Sequence, residues 1–154
     1  MKTLIVYYSK TGTTRQIAEA MGAELENAEV KAIGDAIKFD DYDKVIVGGP
    51  INGMNWNESV KTFVKANQTE LEKKKVAFYA VSYMVDACRD GWNKKIHHFS
   101  DGMMKVDANT VFSGRVDKEM PGFARLIFGL EKGMPIDRVD LSQVKQFAEQ
   151  VKNI

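Results

Sequence analysis

Apolar runs of strand length alternate along this chain with amphipathic stretches of helix length, and this alternation constrains its fold most strongly. The first run, residues 4–8, has no polar member, which is typical of a central parallel strand covered on both faces. Further runs follow at residues 30–33, 44–48, 76–81 and 110–112. Because parallel strands are joined by helical crossovers of one hand, the pattern predicts an α/β fold: a doubly wound, five-stranded parallel sheet in a three-layer α/β/α arrangement.

Apolar residues at helical spacing fill the intervals between these runs, and we expect each set to face the sheet. The sets are Ile17, Met21 and Leu25; Val60, Phe63, Val64 and Leu71; Trp92, Ile96 and Phe99; and Leu141, Val144, Phe147, Ala148 and Val151. Asp140 and Gln143 precede the last set in a capping-box arrangement, which predicts where that helix begins.

Length and composition limit the classes of protein that remain. The chain has 154 residues and no linker-like tract, so we predict one domain, residues 1–154. Its 22 basic and 21 acidic residues leave a formal net charge of +1, which gives no reason to expect nucleic acid as a partner. The single cysteine, Cys88, excludes an intramolecular disulfide. No leader or membrane-spanning run is recognised, so we expect a cytoplasmic protein.

A hydroxyl-rich loop follows the first strand and leads directly into a helix. It consists of Ser9, Lys10, Thr11, Gly12, Thr13 and Thr14. Ligands of such sheets bind beyond the carboxyl ends of the strands. Hydroxyl donors, a glycine that lets the backbone turn and the positive end of a helix dipole together favour an anion there. Capping a helix needs only one hydroxyl, so we predict that this loop binds a phosphate group.

Other phosphate-handling folds do not match this loop. It lacks the lysine of nucleoside-triphosphatase P-loops and the G-x-G-x-x-G of dinucleotide-binding folds. The first and third strands do not end in the carboxylates of a two-component receiver, and no cysteine–arginine pair of a low-molecular-weight phosphatase precedes Arg15. No catalytic pair and no metal-ligand cluster stands out, so any chemistry is expected from a cofactor.

The motif Ser9-x-Thr11-Gly12-x-Thr14 after an apolar strand resembles the phosphate loop of the flavodoxin family, and the resemblance covers essentially the whole chain. It implies FMN as the cofactor, with the flavin ring held between the loops that follow the third and fourth strands. The first of these opens with the pattern G-x-P-I. That opening resembles the branch that includes menaquinone-dependent protoporphyrinogen dehydrogenases.

The resemblance also implies which residues contact the flavin ring. They are Pro50, Ile51, Asn52, Gly53 and Trp56 in one loop, and Ser82, Tyr83 and Met84 in the other. Many family members have an aromatic residue where Asn52 stands, so stacking falls to Trp56 or Met54, and Trp56 could equally be a core residue. Asn52-Gly53 tolerates positive φ, so it forms either a plain turn or a peptide that flips toward a flavin nitrogen. Tyr83 is the best candidate for the outer flavin face.

An inserted apolar and basic segment, at about residues 113–135, separates the fifth strand from the last helix. Phe123, Leu126, Ile127 and Leu130 follow helical spacing within it, and Phe128 adds apolar surface on the far side. The segment either packs on the sheet edge or forms a lid or docking surface beside the flavin. Its partner would then be an apolar substrate, a quinone, another protein or, peripherally, a membrane.

Two functions from different classes therefore stay open, together with a non-catalytic interaction domain. One is an FMN-dependent oxidoreductase that acts on a quinone or porphyrinogen-like substrate. The other is an electron-carrier flavodoxin that docks on redox partner proteins. A carrier of the usual type is strongly acidic, so the near-neutral charge and the insertion favour the enzyme slightly.

Overall fold

Five parallel strands form the centre of the structure, a computed structural model that describes residues 1–52, 55–83, 85–100, 104–116 and 136–154, with only the backbone of 85–88, 97–100, 116 and 136. The strands are β1 (Thr3–Tyr7), β2 (Ala28–Ala32), β3 (Lys44–Asn52), β4 (Asn55–Trp56), β5 (Lys75–Ser82), β6 (Ala108–Ser113), β7 (Arg115–Val116) and β8 (Ile136–Asp137). The helices are α1 (Thr13–Glu24), α2 (Glu58–Ala66), α3 (Gln68–Leu71), α4 (Val85–Ser100) and α5 (Leu141–Lys152), with a 3₁₀ turn at Phe39–Asp41.

The parallel strands lie in the order β2-β1-β3-β5-β6, which confirms the predicted five-stranded α/β sheet. Successive residues of β1 face opposite layers, as the pleat of a strand requires. Leu4 and Val6 pack into one buried cluster with residues of α2 and α4, whereas Ile5 packs into the other with residues of α1 and α5. The three-layer arrangement therefore follows from a strand whose central residues, 4–6, are apolar on both faces, and the carboxyl ends of β1, β3 and β5 meet at one edge.

Two helical predictions need correction. The apolar set Val60, Phe63, Val64 and Leu71 does not lie on one helix. Asn67 ends α2, and its side-chain amide donates to the Phe63 carbonyl at 2.8 Å. Leu141 does not face the sheet but is 51% exposed. Leu141 is the first residue of α5. Helical periodicity predicts the face on which a residue lies, but it does not show that another element covers that face at the end of the helix.

The N-terminus of α5 is capped as predicted, but only in part. The Asp140 carboxylate accepts from the Ser142 amide at 2.9 Å. The Gln143 side chain does not return the bond of a capping box. Its carbonyl oxygen instead accepts from Arg89 at 3.0 Å, because α4 lies within reach.

The predicted insertion falls mainly on residues 117–135, which lie outside the described residues, and its boundaries stay a prediction. Ser113 is the last residue of β6. Beyond it, β7 pairs antiparallel with β8 as a two-stranded ribbon, with Arg115 opposite Asp137 and Val116 opposite Ile136. The ribbon therefore brings Val116 and Ile136, which flank residues 117–135 in the chain, opposite each other.

Candidate cofactor site

The loop between β1 and α1 turns at Gly12. Gly12 has φ 96° and ψ −12°, a left-handed conformation that residues with a Cβ rarely adopt. Its amide donates to the Ser9 hydroxyl at 3.0 Å, and its carbonyl accepts from the Gln16 amide at 3.0 Å. The chain therefore enters α1 through a tight turn that the Ser9 side chain closes.

The N-terminus of α1 differs from those of α2 and α5. Asn57 and Asp140 cap the latter two through side-chain oxygens, each at 2.9 Å from an amide of the first turn. Within the described residues α1 has no such side-chain cap and no acidic residue in its first turn. A Cβ on Gly12 would meet no atom within 4 Å, so there is open space beside the turn that precedes this helix. Uncapped amides, the helix dipole and this space fit a phosphate group.

The side chains of this loop that are predicted to bind phosphate differ in their exposure. Lys10 and Thr11 are exposed, whereas Thr13 and Thr14 are 5% and 2% exposed. The Thr14 carbonyl accepts from the phenol of Tyr79 at 3.4 Å. Complete burial raises the pKa of Tyr79, so this phenol stays protonated. The first turn of α1 is thus attached to the core, while the roles of the four hydroxyls toward phosphate stay predictions.

The loop after β3 is a β-hairpin. Ile51 pairs with Trp56 and Asn52 with Asn55, so β4 runs antiparallel to the end of β3. Its far end is tied to α2, because the amide of Asn57 donates to the Pro50 carbonyl at 3.0 Å and its side chain donates to Asn52 at 3.3 Å. Gly53 and Met54, which join the two strands, lie outside the described residues, so the predicted flip there stays untested.

Trp56 packs in the core beneath this hairpin. Its side chain is 6% exposed, and its indole nitrogen donates to the Gly49 carbonyl at 3.2 Å. Its ring centroid lies 5.1 Å from that of Phe78. This burial favours the core interpretation of Trp56 over the stacking one.

β5 ends at the buried Ser82, and the loop that follows begins with the half-buried Tyr83. Burial raises the pKa of the Tyr83 phenol, so the side chain is neutral near pH 7. The Tyr83 carbonyl accepts from the Arg138 guanidinium at 3.1 Å. Met84 lies outside the described residues, and the contact of Tyr83 with a flavin ring stays a prediction.

Arg138 and Gln16 are residues of the candidate site that sequence reasoning missed; Arg115 was expected to be available for carboxylates or anionic lipid heads, and its contact with Gln16 was missed. Arg115 donates to the Gln16 side chain at 2.9 Å, and these residues lie 99 positions apart in the chain. Arg138 and Tyr83 are separated by 55 positions. Neither periodicity nor a local motif indicates a contact between residues so far apart in the chain. These contacts could therefore be recognised only once the topology was known.

A cleft of about 480 Å³ opens beside the Ser9–Gly12 turn. It is lined by Tyr7, Tyr8, Ser9, Gly12, Arg15, Ala32, Ile33, Gly34 and Ser59. Its size is that of a small-molecule site. The sequence prediction concerned the loops after β1, β3 and β5 and missed the end of β2. Gly34, two residues after the end of that strand, was the available signal.

Comparison with known proteins agrees with this architecture. A family model described as a flavodoxin domain matches residues 4–134. The protoporphyrinogen IX dehydrogenase [quinone] of Escherichia coli K12 is 31% identical over 88 residues, which cover 53% of this chain and 49% of that protein. The chain thus spans about half the length of the curated relative it matches.

Solved structures share the fold at lower identity. A Lactobacillus acidophilus flavoprotein in complex with FMN is 20% identical, with a TM-score of 0.60 over 71% of this chain and 92% of that one. A flavodoxin from the Archaea is 20% identical, with a TM-score of 0.61 over 99% of both chains. Flavodoxin 1 of Bacillus cereus is 15% identical, with a TM-score of 0.62 over 100% of this chain and 99% of that one. Among the helices that the structure describes, none combines the length and apolarity needed to cross a membrane.

Proposed function

Because this chain belongs to the flavodoxin-domain family and is a flavodoxin-like protein that binds FMN, we propose that it is an FMN-dependent oxidoreductase acting on a quinone or porphyrinogen-like substrate. When bound, FMN supplies reversible two-electron chemistry. The chain itself then needs to bind and orient reactants rather than to react covalently. The 31% identical relative, named protoporphyrinogen IX dehydrogenase [quinone], supports this choice of substrate class.

The loops divide the work of binding the cofactor. The uncapped first turn of α1 binds the phosphate through its amides and hydroxyls. The β3–β4 hairpin and the loop that begins at Tyr83 flank the flavin ring. The hairpin is fixed by a local hydrogen bond from Asn57 to Asn52, and the loop after β5 by a long-range hydrogen bond from Arg138 to Tyr83.

One observation carries the choice of an enzyme over a carrier. The β7–β8 ribbon and the residue that follows it contact both parts of the candidate site, because Arg115 donates to Gln16 in the first turn of α1 and Arg138 donates to Tyr83 in the loop after β5. Residues 117–135 begin and end at this ribbon. We expect the apolar side chains of residues 117–135 to offer a surface for the substrate or quinone, and peripheral contact with a membrane that holds the quinone follows from the same proposal.

The test compares two electron acceptors. The FMN-loaded protein is reduced anaerobically with dithionite and then reoxidised either by a quinone with an isoprenoid tail or by ferricyanide, a small soluble acceptor. Replacing Phe123 and Phe128 together by serine should slow the quinone reaction far more than the ferricyanide reaction. Leu141→Ser is the control, because it removes an exposed apolar side chain on α5.

The outcome separates the two functions. A lower ratio of quinone to ferricyanide rate in the double variant alone supports the oxidoreductase. A lower melting temperature with an unchanged ratio means that the segment is structural. In that case an electron carrier docking on redox partner proteins becomes the better assignment.

A further inference from the structure

We propose that Arg115 and Arg138 are positioning residues that hold the two FMN loops through the β7–β8 ribbon, each acting on a different half of the cofactor. Arg115 acts on the phosphate half and Arg138 on the flavin-ring half. The inference deepens the proposed function and rests on it only for the placement of the cofactor between these loops.

Arg115 joins the ribbon to the phosphate loop. Its Nε and Nη2 atoms both lie 3.1 Å from Asp137 Oδ2, and Asp137 is its cross-strand partner. The same Nη2 donates to Gln16 Oε1 at 2.9 Å. The backbone amide of Gln16 donates to the Gly12 carbonyl. The planar guanidinium therefore fixes the first turn of α1 against the ribbon in one orientation.

Arg138 joins the other side of the ribbon to the loop after β5. Its amide donates to the Gly114 carbonyl at 3.1 Å, and its Nη1 donates to the Tyr83 carbonyl at 3.1 Å. The Gly114 amide donates to the Ser82 carbonyl at 2.9 Å. A Cβ on Gly114 would lie 2.9 Å from Val81 Cγ1, so the backbone crosses close to the end of β5. The carbonyls of Ser82 and Tyr83, which are consecutive in the chain, thus accept hydrogen bonds from Gly114 and Arg138.

These contacts act by ordering the loops before the cofactor arrives. A loop that is already in its bound conformation loses less conformational entropy on binding. Removing one such hydrogen bond should therefore weaken cofactor binding by about two- to tenfold, which corresponds to the usual net contribution of a hydrogen bond. The two arginines contact different parts of the cofactor site. The loss of affinity caused by replacing Arg115 should therefore depend on the phosphate group of the ligand, whereas the loss caused by replacing Arg138 should not.

Titration of the apoprotein with FMN and with riboflavin, followed by quenching of flavin fluorescence, separates the two halves. Arg115→Met should weaken FMN and leave riboflavin unchanged. Gln16→Leu should do the same, although it removes no charge. Arg138→Met should weaken both ligands alike, and Arg138→Lys should recover much of the affinity because lysine can still donate to a carbonyl. Lys145→Met, which removes an exposed cation of α5 paired with Glu24, is the control.

Each other result counts against the inference. If Arg115→Met weakens FMN but Gln16→Leu does not, charge rather than position is responsible. If the variants lower the melting temperature without a change in the affinity pattern, the ribbon is only structural. Wild-type affinities in all variants overturn the inference and leave the proposed function standing. Failure of the loaded wild-type protein to reduce any quinone overturns the proposed function instead.

Discussion

The phenol ring of Tyr79 lies so close to Gly48 that a Cβ on this glycine would stand 1.9 Å from Tyr79 Cζ. The two residues are register partners in the neighbouring strands β5 and β3. The ring is completely buried, and its hydroxyl reaches the Thr14 carbonyl in the first turn of α1. Gly48 therefore makes room for the side chain that connects the middle of the sheet with the phosphate loop.

Gly48→Ala should destabilise the fold by about 3 kcal/mol or more, since a methyl group cannot fit without moving a buried ring. Urea unfolding at equilibrium measures this loss. Gly91→Ala is the control, because a Cβ there meets nothing within 4 Å, and it should stabilise α4 by about 1 kcal/mol. In a Tyr79→Val background the cost of Gly48→Ala should shrink. An equal cost in both backgrounds would show that the ring is not the cause.

The sequence predicted the elements because their signals are local. The apolar run of β1 and the Asp140 cap are recognised from adjacent residues, and both are present in the structure. The Gly48-Gly49 pair is different. It marks close approaches to Tyr79 and Val60 from neighbouring elements, and a glycine in a strand does not say which side chain fills the space.

The candidate site was predictable only where one loop forms it. The turn at Gly12 follows from its own sequence, whereas the contacts of Arg115 and Arg138 depend on where the ribbon crosses the sheet edge. The position of Trp56 was ambiguous for a similar reason. An aromatic residue at the end of a hairpin can face either solvent or core, and Phe78 of β5 decides this one.

Asn57→Ala should affect both stability and cofactor binding. Loss of the α2 cap costs about 1 kcal/mol, and Asp140→Ala should cost a similar amount at α5. Only Asn57→Ala also removes the bond to Asn52, so only this variant should weaken FMN binding. Asn57→Ser keeps a capping oxygen without the amide, and should restore stability but not affinity. Equal effects of Asn57→Ala and Asp140→Ala on FMN affinity would contradict the assignment.

Glu29 predicts how the stability of the fold depends on acid pH. The Tyr42 hydroxyl donates to its carboxylate at 2.6 Å and, with Lys31 and Lys2, lowers the pKa of Glu29 from 4.5 to about 2. A carboxylate with a lowered folded-state pKa contributes stability above pH 4.5 and loses it as the pH falls toward 2. Tyr42→Phe should therefore raise the pKa of Glu29 in an NMR titration and make unfolding less dependent on pH in this window. In a Glu29→Gln background, Tyr42→Phe should leave the pH dependence unchanged.

Thr14 gives the most direct test of the phosphate loop, because it is 2% exposed and lies in the uncapped first turn of α1. Thr14→Val keeps the size of the side chain and removes its hydroxyl. If that hydroxyl donates to the phosphate, the loss of a charge-assisted bond of about 1.5–3 kcal/mol should weaken FMN binding roughly ten- to hundredfold. Riboflavin, which has no phosphate, should bind as it does to the wild type.

Two further variants separate the hydroxyl from packing. Thr14→Ser keeps the hydroxyl and loses a buried methyl group, so it should lower the melting temperature while FMN keeps most of its advantage over riboflavin. Thr11→Ala changes an exposed side chain and should weaken FMN binding with the melting temperature of the apoprotein unchanged. Both ligands are titrated by fluorescence quenching and the apoproteins are melted in parallel. If Thr14→Val and Thr11→Ala leave the FMN-to-riboflavin ratio at its wild-type value, the amides of α1 hold the phosphate without these hydroxyls.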